Sequence, residues 1–401
     1  MTSQSPAADG GLPVLYTRAF WTACAVHFSA AMSLSMFVLV PLFVRELGGG
    51  ELVIGLVLGV GTAASVMARP SVGTLLDTWG RREVLLAAGA LNVCSWLPFL
   101  CISSIGPALF FWSTLHAIVW GALFAGFFTY AADLAPPTRR AEGIAVFGVF
   151  GMAPNGLGPW LGEAIIADAG FHVFFLTAAA FGLVSLVLTT LIPKRRPVVA
   201  ATEAVARGAV HDMREAMTQP GLPRVLLATL LLGVAINAAF FFVAPFTRVL
   251  GMTRAAPFFT AYAAMSVVIR VFGRRILDVV GPRRVSIPAF AIFAVGLAAL
   301  GFLPRDGVLI ACGIACGAGH GTLFPVLSAL AISRAPLRMQ GTVVSMHTAA
   351  LDLGAVVGTP LCGLVAQVAG YPTMFGGVAI ASLAGLALMA FDHTRSRGDI
   401  A

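Results

Sequence analysis

The sequence predicts an all-α polytopic membrane protein, with 12 transmembrane helices in two pseudo-symmetric six-helix bundles. Three observations carry that prediction. The first is composition: 59% of the 401 residues are hydrophobic and only 10% charged, with a mean hydropathy of +0.93. Soluble domains carry about 45–50% apolar and about 25% charged residues, so this chain has too few charges to cover a water-facing surface. That excludes a soluble enzyme, a coiled coil and a disordered chain. The second is block length: the apolar residues come in runs of about 20, enough to cross a bilayer as helix, not in the alternating ten-residue stretches of a barrel. The third is that the two halves of the chain repeat.

Taken in order, the predicted spans are 19–44, 52–70, 84–104, 107–132, 143–167, 171–193, 223–247, 256–272, 284–303, 307–333, 342–369 and 371–391. Gly and Pro, 44 and 23 in number, are tolerated in such helices because neighbouring helices re-satisfy freed backbone groups. The organisation that follows is a tail (1–18), a first bundle (19–193), a polar linker (194–221), a second bundle (222–392) and a second tail (393–401). The linker centre, Ala201–Met217, has the composition of a short amphipathic helix or a plain tether. The stretch Met1–Leu15 lacks a charged n-region, so no cleaved signal peptide is expected.

Orientation follows from basic residues. Arg81, Arg82, Arg139, Arg140, Lys194, Arg195, Arg196, Arg274, Arg275, Arg283, Arg284, Arg334, Arg338, Arg395 and Arg397 fall on one side of a twelve-span chain. Arg45, Arg248, Arg254 and Arg305 fall on the other. The positive-inside rule therefore places both termini and the linker in the cytoplasm. Because the basic residues are spread over short loops, the net charge of +8 reads as topology and no nucleic-acid partner is expected. The six cysteines all lie in apolar blocks and do not form a secreted disulfide pattern.

The repeat is specific. Arg69 and Asp77 stand eight apart with Gly80 three further on; Arg270, Asp278 and Gly281 repeat that spacing at an offset of 201. Arg140-x-x-Gly143 recurs as Arg338-x-x-Gly341, and Pro41…Gly48 as Pro245…Gly251. Parallel six-helix repeats with substrate held between them near the midplane are a transporter architecture.

These residues resemble the major facilitator superfamily. Gly73-Thr-Leu-Leu-Asp77-Thr-Trp-Gly80-Arg81-Arg82 is similar to its signature between spans two and three, and the segment around Asp278 is similar to its second copy. Gly158-Pro159-Trp-Leu-Gly162 is similar to a stretch of the proton-driven antiporter branch, with Glu163 where a further glycine is usual. The resemblance, to the drug:proton antiporter or arabinose-efflux-permease-like branch, implies a secondary active transporter in a bacterial inner membrane. It implies proton-coupled efflux of a small amphipathic or drug-like molecule by alternating access. Proton-coupled import of a nutrient or metabolite is the alternative; a soft-metal (copper) transporter and a non-transporting receptor rank lower. The proton gradient is the expected energy source, with no cofactor and no enzyme activity, because no Walker loop or nucleophile–base pair is present; a monomer is the expected state.

Particular residues follow from position. Asp77, just past span two, can pair with Arg81 or Arg82, and Asp133 at the end of span four can pair with Arg81. With Gly73, Gly80 and Asp278 they form a candidate gate that latches the halves in one state and breaks in the other. Gly158 and Gly162, four apart, share a helix face and permit close packing, while Pro159 bends the span. Charges inside a membrane are functional candidates because each costs about 2.5–3.5 kcal/mol on insertion scales. Asp352 lies about 16 Å into span eleven at 1.5 Å per residue, where a carboxyl group can exchange a proton with a substrate-linked pathway. Glu163 and His27 are the other proton-coupling candidates. Asn155, Asn237, Trp120 and His320 are candidates for the cavity wall. Cys312, Cys316 and His320 recur at i, i+4 and i+8, and Met32 and Met36 are four apart. These are soft-metal ligand types, yet a helix of Ala, Gly and Cys yields the same spacing by packing alone, so no metal site is expected.

Overall fold

The computed structural model describes residues 15–194, 213–273, 280–302, 306–336 and 339–398. All their regular structure is helical. Among the described residues nine helices are long and apolar enough to cross a membrane, and Ala256–Phe272 is a shorter apolar one. Two of the nine, Glu142–Thr189 (48 residues) and Gln340–Phe391 (52 residues), are too long for one crossing. Each folds back at a glycine in the left-handed region, Gly170 (φ 77°) and Gly370 (φ 82°). Twelve spans result among the described residues: α1 Arg18–Glu46, α2 Glu51–Thr78, α3 Arg81–Leu100, α4 Pro107–Leu134, α5 140–169, α6 171–189, α7 Leu222–Val249, α8 Ala256–Phe272, α9 Pro282–Phe302, α10 Asp306–Ser333, α11 340–369 and α12 371–398.

The structure departs from the sequence reading at some ends. Span two, predicted to stop at Pro70, continues as α2 to Thr78, so Gly73 and Asp77 stand on its last turns instead of in a loop. A membrane helix carries an internal proline where it is packed against others, and hydropathy alone stops at the first charge. In the same way α12 continues past residue 391 to Gly398. Of the linker, residues 195–212 lie outside the described residues and 213–218 are helical. Asp278, Arg195, Arg196, Arg274, Arg275, Arg305 and Arg338 also lie outside them.

The halves match in backbone as well as in sequence. The positive-φ glycines Gly48 and Gly251, Gly80 and Gly281, and Gly170 and Gly370 pair off across the repeat, each between two spans. Large apolar side chains such as Val368, Ile380, Phe111 and Leu191 are exposed, as a surface meeting lipid requires.

The core is divided unevenly. One buried cluster joins Met36–Val44 of α1, Trp96 and Phe99 of α3 and Phe174 of α6 to the α7–α12 core. A second holds Phe20 and Val26 of α1, Leu85 of α3, Leu123 and Phe127 of α4 and Phe147 of α5. The second lies at the end that carries Arg81, Arg82 and Arg139, called here the basic end. The halves thus share a core at the opposite end and have separate ones at the basic end.

Candidate functional site

Close inter-half packing is set by glycines. A Cβ on Gly55 of α2 would lie 2.7 Å from the Thr359 carbonyl oxygen of α11, and one on Gly363 would fall on the Glu51 carbonyl. α2 and α11 therefore touch backbone to backbone from the opposite end inward, as small residues allow. The seam carries polar clasps: the Gln367 side-chain oxygen accepts from the Leu52 N–H at 3.1 Å, and Glu51 takes Arg45 at 2.5 Å and the Tyr371 hydroxyl at 3.3 Å.

At the inner edge of that seam Arg69 of α2 pairs with Asp352 of α11. Side chains on a helix lean toward its N-terminus, so Arg69 reaches back up α2 to a carboxylate near mid-depth. The side chains of Arg69 and Asp352 are 38% and 18% exposed, so the pair is partly open although Asp352 Oδ2 itself is buried. Asp352 was found from sequence, but its partner was not. Arg69 reads as the start of a repeated motif, and no local pattern links α2 to α11 across 283 residues of chain.

Glu163 of α5 makes the second inter-half contact of note. Its two carboxylate oxygens accept from the backbone N–H groups of Ala255 and Ala256, at 2.8 and 2.7 Å. A buried carboxylate thereby caps the first turn of α8, where unpaired amides and the helix dipole favour negative charge. Two turns away Gly156 lies flat on α8, its carbonyl near the Thr260 hydroxyl at 3.5 Å. Gly158 and Gly162 face their own half: a Cβ on either would run into Ser35 or into Leu39 and Phe174. Pro159 is buried beside them.

The candidate gate at the basic end stitches four helix ends of the first half together. Arg81 Nε donates to Asp133 at 3.0 Å, and its Nη1 donates to Asp77 at 3.4 Å and to the Leu76 carbonyl at 2.9 Å. Arg82 caps the end of α6 by donating to the Thr190 carbonyl at 2.6 Å. Gly80, at φ 109°, makes the α2–α3 corner that brings both arginines there.

The histidines fall in packed surroundings. His27 stacks on Phe147 at 4.4 Å, with Phe127 and Phe128 beside it and Gly151 against its ring. It sits inside the first bundle, apart from Asp352. His116 stacks on Phe37 at 4.3 Å, and the Ser95 hydroxyl lies 3.0 Å from its Nδ1. His347 Nδ1 lies 3.1 Å from the Thr229 hydroxyl. His320 Nδ1 is 2.6 Å from the Tyr262 hydroxyl, joining α10 to α8. Asn237 donates to the Gly233 carbonyl of its own helix at 2.9 Å, Asn155 is half-buried and Trp120 is exposed. Cys312 and Cys316 are buried on the same helix as Gly313 and Gly317, whose backbones rest on the α8 carbonyls of Phe258 and Tyr262. Met32 and Met36 are buried in α1. Among the described residues no three His, Cys, Asp or Glu come together as metal ligands.

Twelve spans in two repeated bundles, joined at one end and paired by charge near mid-depth, define a membrane transporter. The Major Facilitator Superfamily model matches residues 22–278 and 257–399, and the chain belongs to that family. It is 27% identical over 374 residues to an uncharacterized MFS-type transporter of Pseudomonas aeruginosa (strain LESB58), covering 88% of this chain and 87% of that protein. It is 28% identical over 376 residues to one of Burkholderia mallei (strain SAVP1), covering 87% and 85%. Among solved structures it is similar to a variant of the nucleoside transporter NupG, with TM-score 0.81 and 13% identity over 93% of this chain and 99% of that one. The peptide transporter POT in complex with sulfate gives TM-score 0.73 and 17% identity over 93% and 94%. At these identities the two structures are similar in fold alone.

Proposed function

We propose that this transporter couples the movement of a small amphipathic molecule to a proton, working by alternating access in the export direction across a bacterial inner membrane. The basic end faces the cytoplasm in this reading, and the structure is the state closed at the other side. The observation that carries the proposal is the Arg69–Asp352 pair. It is a partly exposed acid near mid-depth whose partner belongs to the other half, at the point where the halves begin to part. Protonating Asp352 removes its charge, releases Arg69 and loosens the seam, which ties a proton to the relative position of the bundles. Glu163 supports the same cycle as a cap that holds the far side shut. The Gly158–Gly162 stretch supports export through its likeness to the antiporter branch. Glu163, standing where that branch carries glycine, favours a second reading, proton-coupled import.

The test is proton flux into proteoliposomes loaded with a pH dye and challenged with amphipathic cations, neutral compounds and organic anions. Substrate-triggered proton movement in the wild type that is lost in Asp352→Asn supports coupling through Asp352. Unchanged movement in the variant removes Asp352 from the mechanism, and its sign relative to labelled substrate separates export from import.

A further inference from the structure

The two halves carry equivalent arginines that end differently. Arg69 of α2 and Arg270 of α8 occupy the same place in the repeat, and Arg69 is neutralised from the opposite half by Asp352. The α5–α11 register, fixed by Arg140-x-x-Gly143 and Arg338-x-x-Gly341, places Pro154 opposite Arg270 where symmetry would require the acid. Its neighbours Gly151, Met152 and Ala153 are not acidic either. Among the described residues Arg270 makes no ion pair, and its Nε is buried without a hydrogen-bond partner. Arg270 as a whole is half-buried, and a guanidinium whose Nε is shut away without a partner is costly unless something else supplies the negative charge.

The surroundings say what that something looks like. The guanidinium stands 6.0 Å from the Phe324 ring. On the same side of the bundle, Tyr262 packs edge-on to Phe240 at 5.0 Å and hydrogen-bonds His320. On the far side of Phe324, at 5.7 Å, lies His347. Its Nδ1 must carry the hydrogen, because the Thr229 hydroxyl already donates to the Val225 carbonyl at 2.8 Å. His347 Nε2 is buried without a partner and in the neutral ring presents only a lone pair, whereas the Arg270 guanidinium carries its positive charge and its donors at any physiological pH. An arginine fork beside aromatic rings suits a carboxylate with an apolar body.

We propose that Arg270 seats the carboxylate of an amphipathic organic anion, which takes the place of the acid missing from α5 and makes with Arg270 the counterpart of the Arg69–Asp352 pair. The inference rests on the transporter reading above and narrows its substrate to anions. An anion lying between α8 and α5 would bridge the halves, as Asp352 bridges α11 to α2.

The probe is radiolabelled 4-phenylbutyrate, with 4-phenylbutanamide and 4-phenylbutylamine as neutral and cationic counterparts, bound to the full-length protein in detergent. Saturable binding of the carboxylate is expected, with the amide and the amine at least about tenfold weaker. Arg270→Gln should weaken the carboxylate at least about tenfold and leave the amide unchanged. Arg270→Lys, which keeps the charge but not the fork, should fall between and guards against misfolding of the Gln variant. Pro154→Asp, which restores the acid, should compete for Arg270 and weaken the carboxylate in a protein that elutes as a single species. Equal binding of the three probes, no saturable binding of the carboxylate, or carboxylate affinity unchanged in both arginine variants would overturn the inference. Arginine-dependent binding without proton flux in proteoliposomes would leave the anion site standing and sink proton-coupled transport instead.

Discussion

Glu163 offers the sharpest perturbation. Its buried carboxylate accepts two backbone hydrogen bonds at 2.8 and 2.7 Å from the first turn of α8. Hydrogen bonds to a charged group contribute about 1.5–3 kcal/mol each, and a helix N-terminus adds up to about 2 kcal/mol for a partly buried anion. Glu163→Gln retains one oxygen acceptor but loses the charge and turns an amide N–H₂ toward one of the two donors. The expected cost to the state with this end closed is about 2–4 kcal/mol, a shift of roughly 30- to 700-fold in the equilibrium between closed and open at that end. Double electron–electron resonance reads it directly, with spin labels at Ile105 and Leu250, exposed residues of the two halves at this end. The background replaces the exposed Cys94 and Cys101. Glu163→Gln should move the distance distribution to longer values. An unchanged distribution in a folded variant would refute the view that the Glu163 cap holds the halves together.

Other consequences follow from particular contacts. His27→Asn should leave substrate-driven proton movement intact, since His27 is enclosed by Phe127, Phe128 and Phe147; loss of that movement in a folded protein would return His27 to the coupling path. Gly354→Val should lower the thermal midpoint in detergent by several degrees, because any Cβ at 354 meets the Leu230 carbonyl and overpacking costs about 1–3 kcal/mol. Gly80→Ala, forced to φ 109°, should cost about 1–3 kcal/mol and misplace Arg81 and Arg82, seen as a lower thermal midpoint and slower transport.

Much of the fold was legible because it is written locally. Twenty-residue apolar blocks, the Arg69-to-Gly80 spacing and its copy at Arg270 need no knowledge of what packs on what. The errors were local too: hydropathy ended span two at Arg69-Pro70, whereas the helix runs through Pro70 to Thr78. The site was only half legible. Depth alone singled out Asp352 and Glu163, but what each one touches depends on how the two bundles meet. Arg69, Glu51 and Gln367 gain their roles from that meeting, and periodicity within a single helix carries no trace of it. Arg270 had a detectable signal, a charge inside an apolar span whose repeat partner is also arginine. Its isolation became visible only when the register placed Pro154 opposite.

The central claim is that Asp352 ties the proton to the movement of the halves, and separating exchange from net flux tests it most directly. In proteoliposomes, Asp352→Asn should keep counterflow of labelled substrate, which needs no net proton transfer, and lose substrate accumulation driven by an imposed pH gradient. Accumulation that survives at the wild-type level in Asp352→Asn would contradict the account.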